Sequence, residues 1–194
     1  MNNIDSDIYD IRTPAYDVSP LVVSRWSPRS MTGEHIETDV MYALFEAARW
    51  APSSRNNQPW HFCYAQRAGD AWNTYLTFLP DRTLKWAKDA ALLLVVLSRN
   101  EYDGREIRSA SFSTGAAWQN LALEATRRGL VAHPIGGFDR EAAREQLSIP
   151  STYTLEIMSA VGVPKVLERK DKEPTNRKPV SDIISKRTFS KSVE

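Results

Sequence analysis

Ala90-Ala91-Leu92-Leu93-Leu94-Val95-Val96-Leu97-Ser98 is an uninterrupted apolar run without charge, Pro or Gly. It is far below the roughly 20 residues of a membrane-spanning helix. Its length and continuous apolarity fit a strand buried on both faces. Such a strand needs neighbours beside it and layers above and below, and the surrounding sequence supplies candidates for both. Trp60-His61-Phe62-Cys63-Tyr64-Ala65 reads as an aromatic-rich strand. Tyr153, Leu155, Ile157, Ser159 and Val161 alternate as in a half-buried strand, and His133 to Phe138 reads as a further strand or turn.

The covering layers come from helical periodicity. Ile36, Val40, Leu44 and Ala47/Ala48 recur at three- and four-residue spacing up to Trp50, and Pro52 marks the end. Residues 70–88 read as helical pieces broken at Pro80. Ser109 to Arg128 reads as a second long helix with Phe112, Ala116, Asn120 and Leu123 on one side, and Gly129 stands where a C-terminal cap is expected. Asp139 suits the cap of a short helix ending at Leu147, and another short helix is expected after Pro179. Interleaved helices and strands make the class mixed α and β, a sheet wrapped by helices. Periodicity leaves the strand order open.

Composition narrows the function. A chain of 194 residues suits one domain, taken as residues 18–194, with a polar arm over 1–17 and a polar, basic extension from about Lys165. Twenty-five basic and 24 acidic residues give a formal charge of +1, so no global field favours nucleic acid. A single Cys excludes an intramolecular disulfide, and the acidic, polar start Met1-Asn2-Asn3-Ile4-Asp5-Ser6-Asp7 is unlike a secretory signal. A cytoplasmic protein without membrane or nucleic-acid partners is the default expectation. No two of the eight Gly are separated by a single residue, so neither a Gly-x-Gly-x-x-Gly fingerprint nor a phosphate loop is present. One Cys and three scattered His do not make a four-ligand zinc site. A nucleotide-like cofactor would have to be held in some other way.

Four segments could hold one. In Arg25-Trp26-Ser27-Pro28-Arg29, Pro28 pushes Ser27 towards extended geometry, so Arg25, Ser27 and Arg29 share a face. Two guanidinium forks around a hydroxyl suit a phosphate, although an ordinary helix end with exposed arginines fits the same residues. Pro52-Ser53-Ser54-Arg55-Asn56-Asn57-Gln58-Pro59-Trp60 offers amides that both donate and accept, as a heteroaromatic ring requires; it also fits a plain polar loop. His133-Pro134-Ile135-Gly136-Gly137-Phe138 contains a Gly pair that would let backbone approach a flat ligand, or simply make a tight turn. Asn176-Arg177-Lys178-Pro179 lies in a tail where residues 165–191 hold nine Lys or Arg against four acids. Cys63 reads as a small buried hydrophobe and His61 as structural. No carboxylate pair stands out for acid–base work.

In order, these four segments resemble the FMN-dependent nitroreductase family over roughly residues 20–187. Thr114-Gly115-Ala116-Ala117-Trp118-Gln119-Asn120-Leu121 is similar to that family's central dimer helix. The resemblance implies an α+β, nitroreductase-like fold with a central, mostly antiparallel sheet, in an intertwined homodimer with FMN at the subunit interface. It implies cofactor-binding roles for Arg25, Trp26, Ser27 and Arg29; for Pro52, Ser53, Ser54, Asn56 and Gln58; for Pro134, Ile135, Gly136 and Gly137; and for Arg177. The arginines with Ser27 would hold the phosphate end, and Ser53, Ser54 and Asn56 would approach from the partner. Pro134 to Gly137 would run along the ring near its N5, and the extension from about 165 would pack on the partner subunit.

The implied activity is that of an oxidoreductase, with ping-pong hydride transfer from NADH or NADPH to an electron-poor small molecule such as a nitroaromatic, a quinone or an activated alkene. No catalytic side chain is implied, because the flavin carries the chemistry. This chain departs from larger members in having only Arg99 to Arg108 between the central strand and the dimer helix, and Gly136 where many carry Glu. Two alternatives stay open: an FMN-binding or regulatory protein without nicotinamide turnover, and specialised flavin chemistry such as reductive dehalogenation.

Overall fold

The computed structural model describes residues 8–165 and 173–188. Six strands and seven α-helices are present among them: β1 Trp60–Gln66, β2 Leu92–Arg99, β3 Glu101–Tyr102, β4 Arg105–Glu106, β5 Val131–Ile135 and β6 Tyr153–Gly162; α1 Ile8–Ile11, α2 Pro20–Ser24, α3 Thr38–Arg49, α4 Trp72–Thr77, α5 Asp81–Ala87, α6 Ala110–Arg127 and α7 Arg140–Gln146. The main sheet has the order β1-β2-β6-β5, with every neighbouring pair antiparallel. This is the α+β architecture expected, and it supplies the strand order that periodicity left open.

The apolar run is the interior strand β2, buried from Leu92 to Ser98. Strand geometry sends alternate side chains to opposite faces. Leu93, Val95 and Leu97 therefore enter one core with Trp72, Tyr75, Phe78 and Met158. Leu92, Leu94 and Val96 enter the other, beneath Met41, Leu44 and Ala48 of α3 and Ala117, Leu121 and Ala125 of α6. Burying each such Leu contributes about 1.5–3 kcal/mol relative to exposure, so β2 concentrates much of the hydrophobic driving force.

Strand β6 departs from the expected alternation. It is buried almost throughout its second half, because it too is interior and covered twice. Its pairing with β2 shifts register between Val96 and Leu97, which oppose Ile157 and Leu155. The extra residue, Glu156, makes a bulge, so Leu155 and Met158 reach the same core although three positions apart. The bulged Glu156 carboxylate accepts from Ser98 Oγ and from Ser111 Oγ, each at 2.5 Å.

The helices follow their signals with one correction. Thr38–Arg49 buries Met41, Leu44 and Ala48, while Ile36 is buried just ahead of the helix. Gly129 caps α6 with φ +74°, and Asp139 Oδ1 accepts from Ala142 N at 2.9 Å. In α6, however, the side marked by Phe112, Ala116, Asn120 and Leu123 is not the core face: Phe112 is 81% exposed. The core face is the small-residue side, with Ser113, Thr114, Ala117, Leu121 and Ala125. Small side chains let α6 lie close to α3, where Asn120 Nδ2 donates to Ala47 O at 3.3 Å. Close approach, not residue size, selected the buried face.

The arm expected over 1–17 is anchored in its described part. Ile8 is buried, Ile8–Ile11 forms a helical turn, and Arg12 is only 9% exposed. Residues 1–7, 166–172 and 189–194, and with them much of the expected C-terminal extension, lie outside the described residues.

Candidate functional site

The first segment begins where α2 stops at Ser24. Arg25 leaves the helix with φ −67° and ψ 113°, an extended conformation that Pro28 helps maintain two residues later. Arg25 Nη1 donates to Ser27 Oγ at 3.2 Å, which places the guanidinium and the hydroxyl on one face. Arg25, Trp26 and Ser27 are half-buried, Pro28 is buried, and Arg29 is exposed.

The third segment is bound to the first. Pro28 O lies 2.9 Å from His133 Nδ1. A carbonyl oxygen only accepts, so His133 carries its proton on Nδ1 in this contact. The His133 ring also packs against Trp86, with centroids 4.5 Å apart. His133 thus holds the arginine turn against β5. Beyond β5, Gly136 and Gly137 are exposed and neither has positive φ. Among the described residues, a Cβ at Gly136 would meet no atom within 4 Å, and one at Gly137 would meet Arg82 Nη2 alone, at 3.7 Å. Nothing among the described residues demands glycine here, and both backbones are open to close approach.

The fourth segment joins the first through a residue the sequence reading left in the arm. Arg12 donates from Nη1 to Val23 O at 2.8 Å and Arg25 O at 2.9 Å, and from Nε to Thr175 O at 3.0 Å. Arg177 Nη1 donates to the same Thr175 oxygen at 3.1 Å. Burial, then the charges of Arg177 and Arg25, lower the pKa of Arg12; burial and Arg177 lower that of Arg25. Among the described residues, no carboxylate forms an ion pair with any of these three guanidinium groups. Arg12 and Arg25 are partly desolvated, Arg177 is exposed beside them, and a cluster of this kind with no ion-pair partner among the described residues has the chemistry to receive an anion. Sequence reasoning found Arg25 and Arg177 but missed Arg12, 163 residues from its Thr175 partner. An Arg in an otherwise weakly patterned arm was the available signal.

The second segment stands apart. Its 3-10 turn, Ser54–Asn56, follows Ser53, and Arg55, Asn56 and Gln58 all have left-handed φ of 45–56°. Such a cluster in non-glycine residues is uncommon and carries strain. The loop closes on itself: Gln58 N donates to Ser53 Oγ at 3.0 Å, Asn56 N to Ser53 O at 3.0 Å, and Gln58 Nε2 to Asn56 O at 3.2 Å. Pro52, Ser54, Asn56 and Gln58 are exposed, and among the described residues the hydrogen bonds of residues 53–58 stay within the loop. The chain therefore gathers the first, third and fourth segments and leaves the amide loop facing outwards.

The region from Arg99 to Arg108 forms a small exposed hairpin, β3–β4, turned by Asp103 and Gly104 at φ 50° and 71°. Tyr102 stands 57% exposed with the Arg99 guanidinium 4.5 Å above its ring. Cys63 is half-buried and its thiol pKa is raised by burial, as suits a packing residue. His61, by contrast, is exposed on edge strand β1, its ring edge-on to Tyr153. Among the described residues, no group of three His, Cys, Asp or Glu could hold a metal ion, and no helix is long and apolar enough to cross a membrane.

Comparison with known proteins agrees with this architecture. A crystal structure of an oxidoreductase containing FMN superposes with a TM-score of 0.88 and 33% identity, covering 93% of this chain and 97% of that one. A provisionally assigned nitroreductase from Desulfovibrio desulfuricans, crystallised in complex with FMN, shares the fold at a TM-score of 0.72 and 22% identity, over 90% of this chain and all of that one. A protein of Archaeoglobus fulgidus, provisionally named NADH dehydrogenase/NAD(P)H nitroreductase, is 28% identical over 158 residues, 75% of this chain and 84% of its own length. The nitroreductase family model matches residues 22–163, from the arginine turn to the end of the central sheet, and the chain belongs to the nitroreductase family.

Proposed function

We propose that this protein is an FMN-dependent oxidoreductase that passes two electrons from NADH or NADPH to an electron-poor small molecule. The carrying observation is the convergence of Arg12, Arg25 and Arg177, which no carboxylate pairs among the described residues, together with the open backbone at Gly136–Gly137 at the end of the strand that His133 ties to the arginine turn. A phosphate supplies the charge that the arginines lack, and a flat ring suits the glycine pair. The residues present thus fit FMN. Support comes also from the 33% identical structure that contains it.

In this reading Arg25, Ser27, Arg29 and Arg177 bind the phosphate end, with Trp26 beside them. Pro134, Ile135, Gly136 and Gly137 lie along the ring, and the exposed Gly136 and Gly137 offer it backbone N–H groups. FMN, when bound, supplies the hydride chemistry for a ping-pong exchange between nicotinamide and acceptor. The protein's part is binding, orientation and exclusion of water. Pro52, Ser53, Ser54, Asn56 and Gln58 face outwards and reach a flavin from a second copy of the chain. The exposed Phe112 side of α6 then forms part of a homodimer interface, and the residues from about 165 form an extension onto the partner. A nitroaromatic, a quinone or an activated alkene is the acceptor class.

The test is a visible spectrum of the purified protein followed by anaerobic titration with each nicotinamide. A yellow protein that bleaches stoichiometrically supports the proposal. A colourless protein that takes up no FMN overturns it. Bound FMN that neither NADH nor NADPH reduces overturns nicotinamide turnover and leaves a binding or regulatory role, which the short β3–β4 hairpin favours.

A further inference from the structure

We propose that Arg12 is a positioning residue of the phosphate site: it ties the N-terminal segment, the Arg25 turn and the tail at Thr175 into one cradle, and so sets where the Arg25 and Arg177 guanidinium groups converge. The inference rests on the FMN reading above.

Three observations carry it. First, Arg12 is buried, and among the described residues its guanidinium is spent on backbone carbonyls rather than on an acid. Val23 O and Arg25 O lie at the end of α2, where a helix leaves carbonyls without intrahelical partners. Nη1 donates to both while Nε of the same rigid plane is held by Thr175 O, and this fixes the direction in which the chain leaves the helix. Second, the Thr175 oxygen accepts from Arg12 Nε at 3.0 Å and from Arg177 Nη1 at 3.1 Å. A single carbonyl therefore holds two cations side by side. Third, the charges oppose this arrangement, since Arg177 and Arg25 disfavour the charged form of Arg12 and Arg177 does the same to Arg25. A cluster held together against its own repulsion is organised for a ligand of opposite charge.

Arg and Lys are not equivalent in such a role. A guanidinium spans three carbonyls in a fixed plane, whereas an ammonium is a point charge on a flexible stem. Arg12→Lys would keep the charge and lose the fork.

The experiment measures the affinity of the apoprotein for FMN and for riboflavin, which lacks the phosphate, by flavin fluorescence. Wild type, Arg12→Gln and Arg12→Lys are compared. Arg12→Gln should weaken FMN by about 10-fold or more, the scale of one lost charge-assisted contact, and leave riboflavin unchanged. Arg12→Lys should fail to restore wild-type FMN affinity. Unchanged FMN affinity in Arg12→Gln overturns the inference, as does equal weakening of both flavins, which would mark general misfolding. Full rescue by Arg12→Lys overturns positioning in favour of bare charge. If Arg12→Gln does not fold, the Lys variant is read by thermal shift with inorganic phosphate. Loss of the phosphate-induced stabilisation seen in wild type supports the inference, and its retention overturns it. Wild type that binds neither flavin sinks the FMN reading itself, a result distinct from all of these.

Discussion

Strand β2 and the arginine cluster are opposite solutions within one small domain. In β2, seven consecutive residues from Leu92 to Ser98 are buried, and every apolar contact lowers the free energy of folding. In the cluster, Arg12 and Arg25 lose solvent and lie near a like charge, so the unliganded arrangement works against folding. The sheet stores stability. The cluster holds three cations close together, at a cost that the sheet offsets and that a bound anion, in the proposed reading, would relieve. Stability and ligand affinity should therefore respond to different substitutions.

The largest expected effect lies in the sheet. Leu94→Ala should cost about 2–5 kcal/mol in urea unfolding, the range for deleting a fully buried Leu. A cost below 1 kcal/mol would mean that the two cores can collapse into the gap, and the contrast would weaken. Next comes the cluster. Arg177→Ala should weaken FMN binding about 10- to 100-fold, the worth of a hydrogen bond to a charged group, measured by equilibrium titration. The melting temperature of the apoprotein should stay the same or rise, since a like charge leaves; a fall of many degrees would show the cluster to be structural.

The two regions also separate by pH. Burial, with a smaller effect from Cys63, raises the pKa of Tyr75 in the core far above its ordinary value. The folded state thus favours the neutral phenol. Its contribution is complete below the unfolded pKa of about 10 and is lost as pH rises beyond that value. Tyr75→Phe should move the alkaline limb of the stability curve to higher pH, checked by urea unfolding between neutrality and strong alkali; an unmoved limb would place the alkaline sensitivity elsewhere. The smallest effect belongs to the outward loop. Asn56→Gly should change stability by no more than about 1 kcal/mol, and in the stabilising direction, because glycine accepts φ 56° without steric cost. Clear destabilisation would show that the Asn side chain anchors the loop.

Legibility followed the range of the interactions. The Leu92–Ser98 strand, the helix over Thr38–Arg49, the Gly129 cap and the Asp139 cap were readable because each is decided by neighbours a few residues away. The amide loop was readable for the same reason, since its hydrogen bonds span two to five residues. The core face of α6 was not legible, because Phe112 outweighs alanine in an apolar pattern while packing against α3 favours the smaller side chains. The bulge at Glu156 carried no local mark at all.

Arg25 and Arg177 were identifiable as candidates from their motifs, but their convergence depends on contacts that span most of the chain. Arg12 had no motif, and its role exists only because Val23, Arg25 and Thr175 meet around it. Short stretches of chain were enough to set the class of fold, to mark four candidate segments for a cofactor and to exclude the glycine-loop motifs. Which strand lies beside which, which side of α6 is buried, and that three arginines share one place with no ion-pair partner among the described residues became visible in three dimensions alone. Local hydrogen bonds and hydrophobic periodicity are written in short stretches of chain. Electrostatic clusters and register depend on pairings across more than a hundred residues, which no window of sequence contains.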